Sequence, residues 1–219
     1  GPMKDEKLTP RITQTAKGLW VIYAFITAGC VTSLWLAGMP VMDALMHAFS
    51  IMGLGGFSSH DASFGFFNSP AMEAVAIFFM LLAGINFATH FLFVTRRSFR
   101  VYRFDLEAQA FWWLMLGSVL LVAYFLWREN TYAEFLTALR FAAFNVVSIA
   151  TTTGLATTDY NKWPMFAPVF MIFLSCFATC AGSTGGGIKM VRAQLLVKQS
   201  YGELRRLIHP RLQVVVKLN

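Results

Sequence analysis

Residues 180–189 read Cys-Ala-Gly-Ser-Thr-Gly-Gly-Gly-Ile-Lys and interrupt a segment that is otherwise apolar enough to enter a bilayer. A helix that unwinds inside a membrane loses backbone hydrogen bonds, and hydrocarbon supplies no substitutes for them. Such a break is tolerated only where it packs inside protein or lines a water-filled path. The sequence therefore predicts a last span broken by a glycine-rich loop, and it indicates a transport protein.

The composition also indicates a membrane protein. Of the 219 residues, 57% are hydrophobic and only 13% are charged, which departs from the averages of soluble domains. About 20 residues cross a hydrocarbon core of roughly 30 Å. Four apolar runs are predicted to be spans: Gly18–Gly38, Ala71–Val94, Ala108–Trp127 and Met165–Ala181, the last of which continues beyond the glycines. We therefore predict an all-α integral membrane protein rather than a soluble four-helix protein.

The net charge of +7 is distributed unevenly along the chain. Fifteen of the 18 lysines and arginines precede the first span, lie between the second and third, or follow the fourth. Because cytoplasmic loops carry an excess of such residues, both termini and the loop 96–103 are predicted to be cytoplasmic. This placement argues against nucleic-acid binding. It predicts a multi-pass protein of the cytoplasmic (inner) membrane, surrounded by lipid, with residues 1–17 as a cytoplasmic N-terminal segment.

The chain contains an internal repeat. Ser50–Asp61 aligns with Ser148–Asp159 at a fixed offset, with serine, isoleucine, glycine and aspartate matching. Each unit consists of a span, a short semi-apolar helix, a Gly/Thr-rich loop and a second span. The short helices are predicted at Val41–Met52 and Tyr132–Ala150, with Asp43 and Thr131 as their N-caps. The two units cover residues 18–104 and 105–207.

The short helices are predicted to dip into the membrane from outside and to return through the Gly/Thr loops. Such backbone is allowed where it faces a pore, and the helix C-termini would then point inward, which favours a cation. Glycine frees a loop to turn its carbonyls toward an axis, as in potassium filters. The repeat therefore predicts units of the potassium-channel type: span, pore helix, filter loop, span.

The repeats and residues 180–189 resemble the TrkH/KtrB/HKT superfamily of potassium transporters. The TrkH branch is the most similar, through residues 55–63 (GGFSSHDAS), 151–154 (TTTG) and 181–187 (AGSTGGG). The resemblance implies that residues 18–104 and 105–207 are the second and third of four pore units. The chain is then a fragment or a half that must pair, and its abrupt end at Val214–Asn219 favours a fragment with a truncated cytoplasmic segment, 208–219.

The same resemblance implies the site residues. The potassium filter comprises Gly53, Leu54, Gly55 and Gly56 in one unit and Thr151, Thr152, Thr153 and Gly154 in the other. Potassium is expected at the carbonyls of Leu54, Gly55, Thr152 and Thr153. An intramembrane gate loop at residues 181–188 contains Ala181, Gly182, Ser183, Thr184, Gly185, Gly186 and Gly187. Asp61 and Asp159 end the two filters at the outer mouth, where they attract cations or cap the following turn.

The predicted function is potassium uptake through this filter and gate. Alternatives within the same superfamily are the channel-like membrane subunit of an ATP-driven potassium pump and a sodium-coupled potassium symporter. An enzyme is disfavoured, because the four histidines are scattered and no nucleophile or metal cluster is apparent. A phosphate loop is excluded by spacing, since Ile188 follows Gly187 where that motif needs lysine.

Cofactors and partners follow from the same reasoning. We expect no cofactor in this chain, and potassium as the substrate. The expected partners are the remaining repeats of the transporter, a second copy in a homodimer, and a cytoplasmic nucleotide-binding regulatory protein of the Trk type. That protein would dock on the basic face between Arg192 and Arg211, unless this charge serves only as a membrane anchor.

Two polar residues of the second span have structural interpretations. His90 is predicted to be an interfacial histidine with satisfied hydrogen bonds rather than a proton relay. Glu73 follows Pro70 and is predicted to sit at the outer start of the helix, where it favours the N-terminal dipole.

Overall fold

The computed structural model describes residues 5–208, with the backbone alone for residues 5–12, 206 and 208. Over this range the chain is helical and contains no β-strand. Short 3-10 turns lie at Ser63–Phe66 and Tyr160–Lys162. In chain order, the α-helices of the described residues are α1 (Asp5–Leu36), α2 (Val41–Met52), α3 (Pro70–Ala83), α4 (Phe87–Arg96), α5 (Arg100–Phe104), α6 (Leu106–Arg128), α7 (Phe135–Ala150), α8 (Phe166–Ser175) and α9 (Met190–Ile208).

Two of these helices are long and apolar enough to cross a membrane by themselves. They are the Thr13–Leu36 part of α1 and the whole of α6, which confirms the first and third predicted spans. The second span, predicted as continuous over 71–94, is instead broken. Its halves α3 and α4 meet at a bend of 94°.

The break in the second span has local causes. The amide of Gly84 still bonds the Met80 carbonyl, but Ile85 bonds back only to Leu82, so the helical pattern ends there. Asn86 then starts α4, because its side-chain oxygen accepts a hydrogen bond from the Ala88 amide at 2.9 Å. The prediction of a continuous helix was wrong because hydropathy does not register such a turn.

The short helices α2 and α7 match the predicted pore helices. The first has the predicted bounds, and the second begins three residues late, at Phe135. Both predicted N-caps were wrong: Pro40 and Glu134 occupy these positions, and neither makes a side-chain capping bond. The Asp43 carboxylate instead accepts a hydrogen bond from the Ser59 hydroxyl at 2.6 Å.

Each first span packs on the pore helix of its own unit, α1 on α2 and α6 on α7. The link between the units is α3, which packs against both pore helices. Near this link, the fully buried rings of Phe64 and Phe144 lie 5.0 Å apart between centroids. Large apolar side chains such as Trp20, Phe25 and Trp113 remain exposed on the outside. A surface of this kind suits lipid or further protein rather than water.

An ion pair also joins the units. The Arg140 guanidinium on α7 donates from Nε to Oε2 and from Nη2 to Oε1 of Glu73 on α3, each at 2.7 Å. Nη2 also donates to the Asn68 side-chain oxygen at 2.9 Å. The Glu73 side chain is only 3% exposed. The expectation that Glu73 chiefly serves its own helix start therefore missed its role, which is to pair across the units.

The last span is broken as predicted, but the non-helical stretch is longer. Helix α8 ends at Ser175, and α9 begins at Met190. The amides of Ile188 and Met190 bond the carbonyls of Cys176 and Thr179, at 2.7 and 2.8 Å. These bonds close the neck of the loop and replace those that a continuous helix would make.

Candidate functional site

The first filter segment, residues 53–56, turns away from the C-terminal end of α2. Its amides point back to the pore helix: Gly53 bonds Phe49, Leu54 bonds Ile51, and Gly55 bonds Ser50. In a trans peptide the carbonyl points opposite to the amide that follows it. The carbonyls of Gly53 and Leu54 therefore point away from α2.

The second filter segment, residues 151–154, repeats this arrangement on α7. The amide of Thr152 bonds the Ile149 carbonyl, while those of Thr153 and Gly154 both bond Ser148. By the same geometry, the carbonyls of Thr151, Thr152 and Thr153 point away from the pore helix.

Both filter segments have positive φ angles at the same two positions of the repeat. Positive φ occurs at Leu54 and Gly56 in the first, and at Thr152 and Gly154 in the second, with values of 49°, 72°, 64° and 86°. Glycine adopts this conformation freely, whereas leucine and threonine do so at a cost of about 1–2 kcal/mol. Strain at matching positions of two repeats indicates that both loops are held in a specific conformation.

The two filter segments meet. A Cβ atom built on Gly56 would lie 2.3 Å from the Thr153 carbonyl oxygen, and one on Gly154 would lie 3.8 Å from the Gly56 Cα atom. Within residues 5–208, no protein donor bonds any carbonyl oxygen of 53–56 or 151–154. The site thus gathers carbonyl oxygens that have no partner in the described part of the chain.

The threonine hydroxyls of the second filter segment support the loop. The Thr151 hydroxyl donates to the Val147 carbonyl at 2.7 Å and lies 2.8 Å from the Thr153 hydroxyl. Thr152 Oγ1 accepts a hydrogen bond from the Gly186 amide at 2.8 Å. These contacts give the hydroxyls a role in supporting the loop.

Outside the filter, the predicted mouth residues line one cleft. Asp61 and Asp159 border a cavity of about 410 Å³, together with backbone and small side chains of both units. The Gly65 amide donates to the Ala156 carbonyl at 2.9 Å, so the loops are bonded across the cleft. Asp159 also begins the following 3-10 turn by accepting from the Asn161 amide at 3.2 Å, which is the alternative capping role.

In each unit, one buried polar residue of the pore helix bonds the loop that follows the filter segment. His47 lies 2.8 Å from the Asp43 carbonyl through Nδ1 and 2.9 Å from the Ser58 hydroxyl through Nε2. Asn145, at the equivalent position in the second unit, donates to the Phe141 carbonyl at 2.8 Å and to the Thr157 hydroxyl at 2.9 Å. The sequence analysis missed this pair. Extending the repeat alignment three residues upstream would have found it.

The outer end of α2 carries a further polar contact. The Ser59 hydroxyl that donates to Asp43 lowers the pKa of that carboxyl below its ordinary value. The His60 ring, 3.4 Å from the same carboxylate, acts in the same direction and stacks on Phe66. This cluster fixes the segment between the first filter and the mouth.

The gate loop, residues 181–188, lies directly against the second filter segment and against the end of the first pore helix. The Thr184 hydroxyl donates to the Met52 carbonyl at 2.9 Å, at the end of the first pore helix. The Gly186 amide reaches Thr152 of the second filter, as described above. A Cβ atom on Gly185 would lie 3.0 Å from the Thr151 carbonyl oxygen. The sequence-predicted gate and filter residues are therefore adjacent.

The gate loop also completes the broken second span. The amides of Cys180 and Thr184 donate to the carbonyls of Gly84 and Ala83, at 3.0 and 3.4 Å, and the Phe87 amide donates to Gly182 at 3.1 Å. Each break thus supplies hydrogen bonds that the other lacks. This is the condition under which irregular backbone is tolerated at membrane depth.

Inside the loop, side chains hold the backbone. The Thr179 hydroxyl donates to the Gly186 carbonyl at 2.7 Å, and the Lys189 ammonium donates to the Gly185 carbonyl. Lys189 has a φ of 75°, a strained value for lysine at the point where the loop turns into α9. His90 is satisfied as predicted, by the Tyr102 hydroxyl at 2.7 Å and the Leu82 carbonyl at 2.9 Å.

Comparisons with a family model and with curated proteins both identify similarity to Trk proteins. Residues 1–218 match the TrkH family, described as "Cation transport protein". The chain is 45% identical over 218 residues to the Trk system potassium uptake protein TrkH of Salmonella typhimurium, covering 100% of this chain and 45% of that protein. It is 39% identical over 211 residues to TrkG of Escherichia coli, covering 96% of this chain and 43% of that protein.

A solved structure is also similar. The crystal structure of the potassium transporter TrkH from Vibrio parahaemolyticus matches with a TM-score of 0.92 at 42% identity. The match covers 96% of this chain and 45% of that one. The chain thus spans less than half the length of the relatives that it matches.

Proposed function

The chain belongs to the TrkH family of cation transport proteins, and on that premise we propose that it forms part of a potassium-uptake pathway through the cytoplasmic membrane. Potassium passes the carbonyls of the two filter segments, and the gate loop controls its exit toward the cytoplasm. Units 18–104 and 105–207 supply two walls of the pore, and the other repeats of the same transporter supply the rest.

The observation that carries the proposal is the pair of matching filter segments. They come from two sequence repeats, share the alternation of φ, touch at Gly56 and Thr153, and leave their carbonyls without donors from residues 5–208. A ring of carbonyls can replace the hydration shell of potassium. The carbonyls of Leu54, Gly55, Thr152 and Thr153 are the proposed ion ligands, with Asp61 and Asp159 drawing cations to the outer mouth.

The gate assignment rests on position. The loop lies on the side of the filter where the pore helices end: its glycines bring the backbone against the second filter segment, and Thr184 bonds the last residue of the first pore helix. In this place the loop obstructs an ion that leaves the filter. Its three consecutive glycines allow a second, open arrangement.

The names of the relatives favour uptake over the alternatives. Proteins 39–45% identical to this chain carry the name potassium uptake protein, whereas none of those names describes a pump subunit or a sodium symporter. The proposed role is transport rather than catalysis, with potassium as substrate.

The proposed partners are a second copy of the transporter and a cytoplasmic regulatory protein that binds nucleotide. The docking surface for the latter is the basic helix α9, on which Arg192 and Arg205 are exposed. Arg211, the far end of the predicted basic face, lies outside the described residues. The distribution of positive charge favours a cytoplasmic location for both termini.

Replacement of Gly154 tests the filter. Gly154→Ser places a side chain on a residue with φ of 86°, so the carbonyls beside it must shift. In cells that express the full-length transporter, the ratio of potassium to sodium uptake is expected to fall about tenfold, a change of ~1.4 kcal/mol in discrimination. Uptake of both ions is measured at matched expression.

Gly117→Ser is the control, because no atom lies within 4 Å of a Cβ at that position on α6. The control should keep the wild-type ratio. An unchanged ratio in the Gly154 variant would remove the filter assignment.

Deletion of residues 182–187 tests the gate. If this loop obstructs the pore, removing it from the full-length transporter is expected to raise potassium flux per folded molecule and to weaken dependence on the regulatory partner. The reason is steric, because the filter then remains as the main barrier. Flux into liposomes is divided by the amount of monodisperse protein. Equal or lower flux from well-folded deletion protein contradicts the gate.

A further inference from the structure

One carboxylate on α6 binds both ends of the gate loop. Glu107 Oε1 accepts a hydrogen bond from the Ala181 amide at 2.7 Å and another from the Val191 amide at 3.0 Å. Ala181 is the first residue of the loop, and Val191 lies in the first turn of α9, just beyond it. A single side-chain oxygen therefore joins the two backbone segments that enter and leave the loop.

These two bonds are of the stronger kind. A carboxylate that accepts from backbone amides makes charge-assisted bonds, which are about twice as strong as neutral ones. Because Val191 lies at the N-terminus of α9, the carboxylate also faces the positive end of that helix. The amides of Ile188 and Met190 bond carbonyls at the start of the non-helical stretch. Glu107 therefore adds to the bonds that hold the two ends of the loop together.

The start of α6, which carries Glu107, is itself held in place. Asp105 caps α6 by accepting from the amides of Glu107 and Ala108 through Oδ1, at 3.1 and 3.0 Å. Its other oxygen accepts from the Thr89 hydroxyl on α4 at 2.7 Å. The start of α6 is thus tied to the second half of the broken span, next to the loop 96–103 that is predicted to be cytoplasmic.

We infer that Glu107 is a positioning residue for the gate: its carboxylate holds the two ends of the loop together in the obstructing arrangement. The inference rests on the proposed function of residues 181–188 as a gate. Displacement of the α6 start, to which the predicted cytoplasmic loop 96–103 leads, loosens the loop without any change in the filter. Within residues 5–208, the Glu107 carboxylate makes no hydrogen bond to either filter segment.

The first experiment measures flux. Glu107→Ala in the full-length transporter is expected to raise potassium flux into liposomes, without a regulatory partner, by about tenfold or more per folded molecule, because the closed state loses both charge-assisted hydrogen bonds to the carboxylate. Glu107→Gln keeps an oxygen acceptor and loses the charge, so the increase should be about threefold. The potassium to sodium ratio should remain that of the wild type in both variants.

The second experiment uses no transport. Cys180, beside the loop, is only 1% exposed. Alkylation of its thiol by a maleimide, followed by mass spectrometry of the labelled peptide, reports release of the loop. Labelling is expected to become about tenfold faster in Glu107→Ala than in the wild type, in proportion to the released fraction. Glu129→Ala is the matched control, because this exposed acid follows the other end of the same helix.

The outcomes separate this inference from the proposed function. If Gly154→Ser changes selectivity but Glu107→Ala leaves both flux and Cys180 labelling as in the wild type, the inference is overturned and the filter stands. Lower yield of Glu107→Ala, with unchanged flux per folded molecule and unchanged labelling in Glu107→Gln, also overturns it, since the residue is then only structural. If labelling accelerates while potassium flux is independent of the filter residues, the loop contact holds and the proposed function fails.

Discussion

Replacing Gly56 with alanine is expected to lower potassium uptake by the full-length transporter about 100-fold, which corresponds to a barrier raised by ~2.7 kcal/mol. Two costs combine at this position. A left-handed φ of 72° costs alanine about 1–2 kcal/mol. In addition, the new Cβ would lie 2.3 Å from the Thr153 carbonyl oxygen, far inside van der Waals contact.

The second filter segment cannot move aside freely. The Thr153 amide is bonded to Ser148 at 2.8 Å, and the Thr153 hydroxyl lies 2.8 Å from that of Thr151. The clash is therefore expected to turn a proposed ligand carbonyl away from the ion path, so that discrimination between potassium and sodium falls together with uptake. Initial uptake rates of both ions, at matched expression, measure the effect.

Two other glycines serve as graded controls for Gly56. Gly154→Ala carries the cost of a left-handed φ but meets nothing closer than 3.8 Å, so its effect should be smaller. Gly117→Ala meets nothing within 4 Å and should be neutral. Uptake by Gly56→Ala as high as that by Gly117→Ala would show that the contact between the filter segments has no part in conduction.

Removal of Arg140 is expected to destabilise the transporter by about 3–5 kcal/mol, because it leaves the Glu73 carboxylate buried without a partner. Arg140→Ala loses two bonds of 2.7 Å to Glu73 and one of 2.9 Å to Asn68, all of which join the two units. The free energy of unfolding is measured by denaturant titration of the full-length protein in detergent micelles.

Comparison with a second ion pair and a double variant makes this test specific. The pair between Lys162 and Asp159 spans 3.5 Å, with side chains 82% and 50% exposed, so Lys162→Ala should cost at most about 1 kcal/mol. Arg140→Leu combined with Glu73→Leu should regain most of the loss, because no unpaired charge then remains. Equal losses of unfolding free energy in Arg140→Ala and Lys162→Ala would show that burial of an ion pair does not determine how much its removal destabilises the protein.

The pore helices and glycine positions could be predicted because their signals are local or repeated. The first short helix has the predicted bounds at Val41–Met52, since Pro40 and Gly53 mark its ends. The aligned glycines, Gly56 and Gly154, both have positive φ, as their place in the repeat indicates. The break at residues 181–188 was evident because three glycines in succession rarely continue a helix.

Features that depend on distant residues could not be predicted in this way. The break at Gly84 lies inside the run 71–94 that hydropathy predicts as one span, and the Gly84 carbonyl is satisfied by Cys180, nearly a hundred residues later. Asp43 has the residue type of an N-cap, yet it lies inside the first turn of α2, and Ser59 and His60 contact its carboxylate. Glu73 was placed at the correct helix end, but its partner Arg140 lies in the other unit.

The tethers behind the two filters show what duplication within one chain allows. His47 and Asn145 stand at the same register, are fully buried and bond the carbonyl four residues before them, yet one is an imidazole and the other an amide. In a pore assembled from identical subunits, any substitution would alter every wall at once. In the proposed pore each wall can change independently, so the proposed ion path has an approximate symmetry whose individual sides are separately available to selection and to engineering.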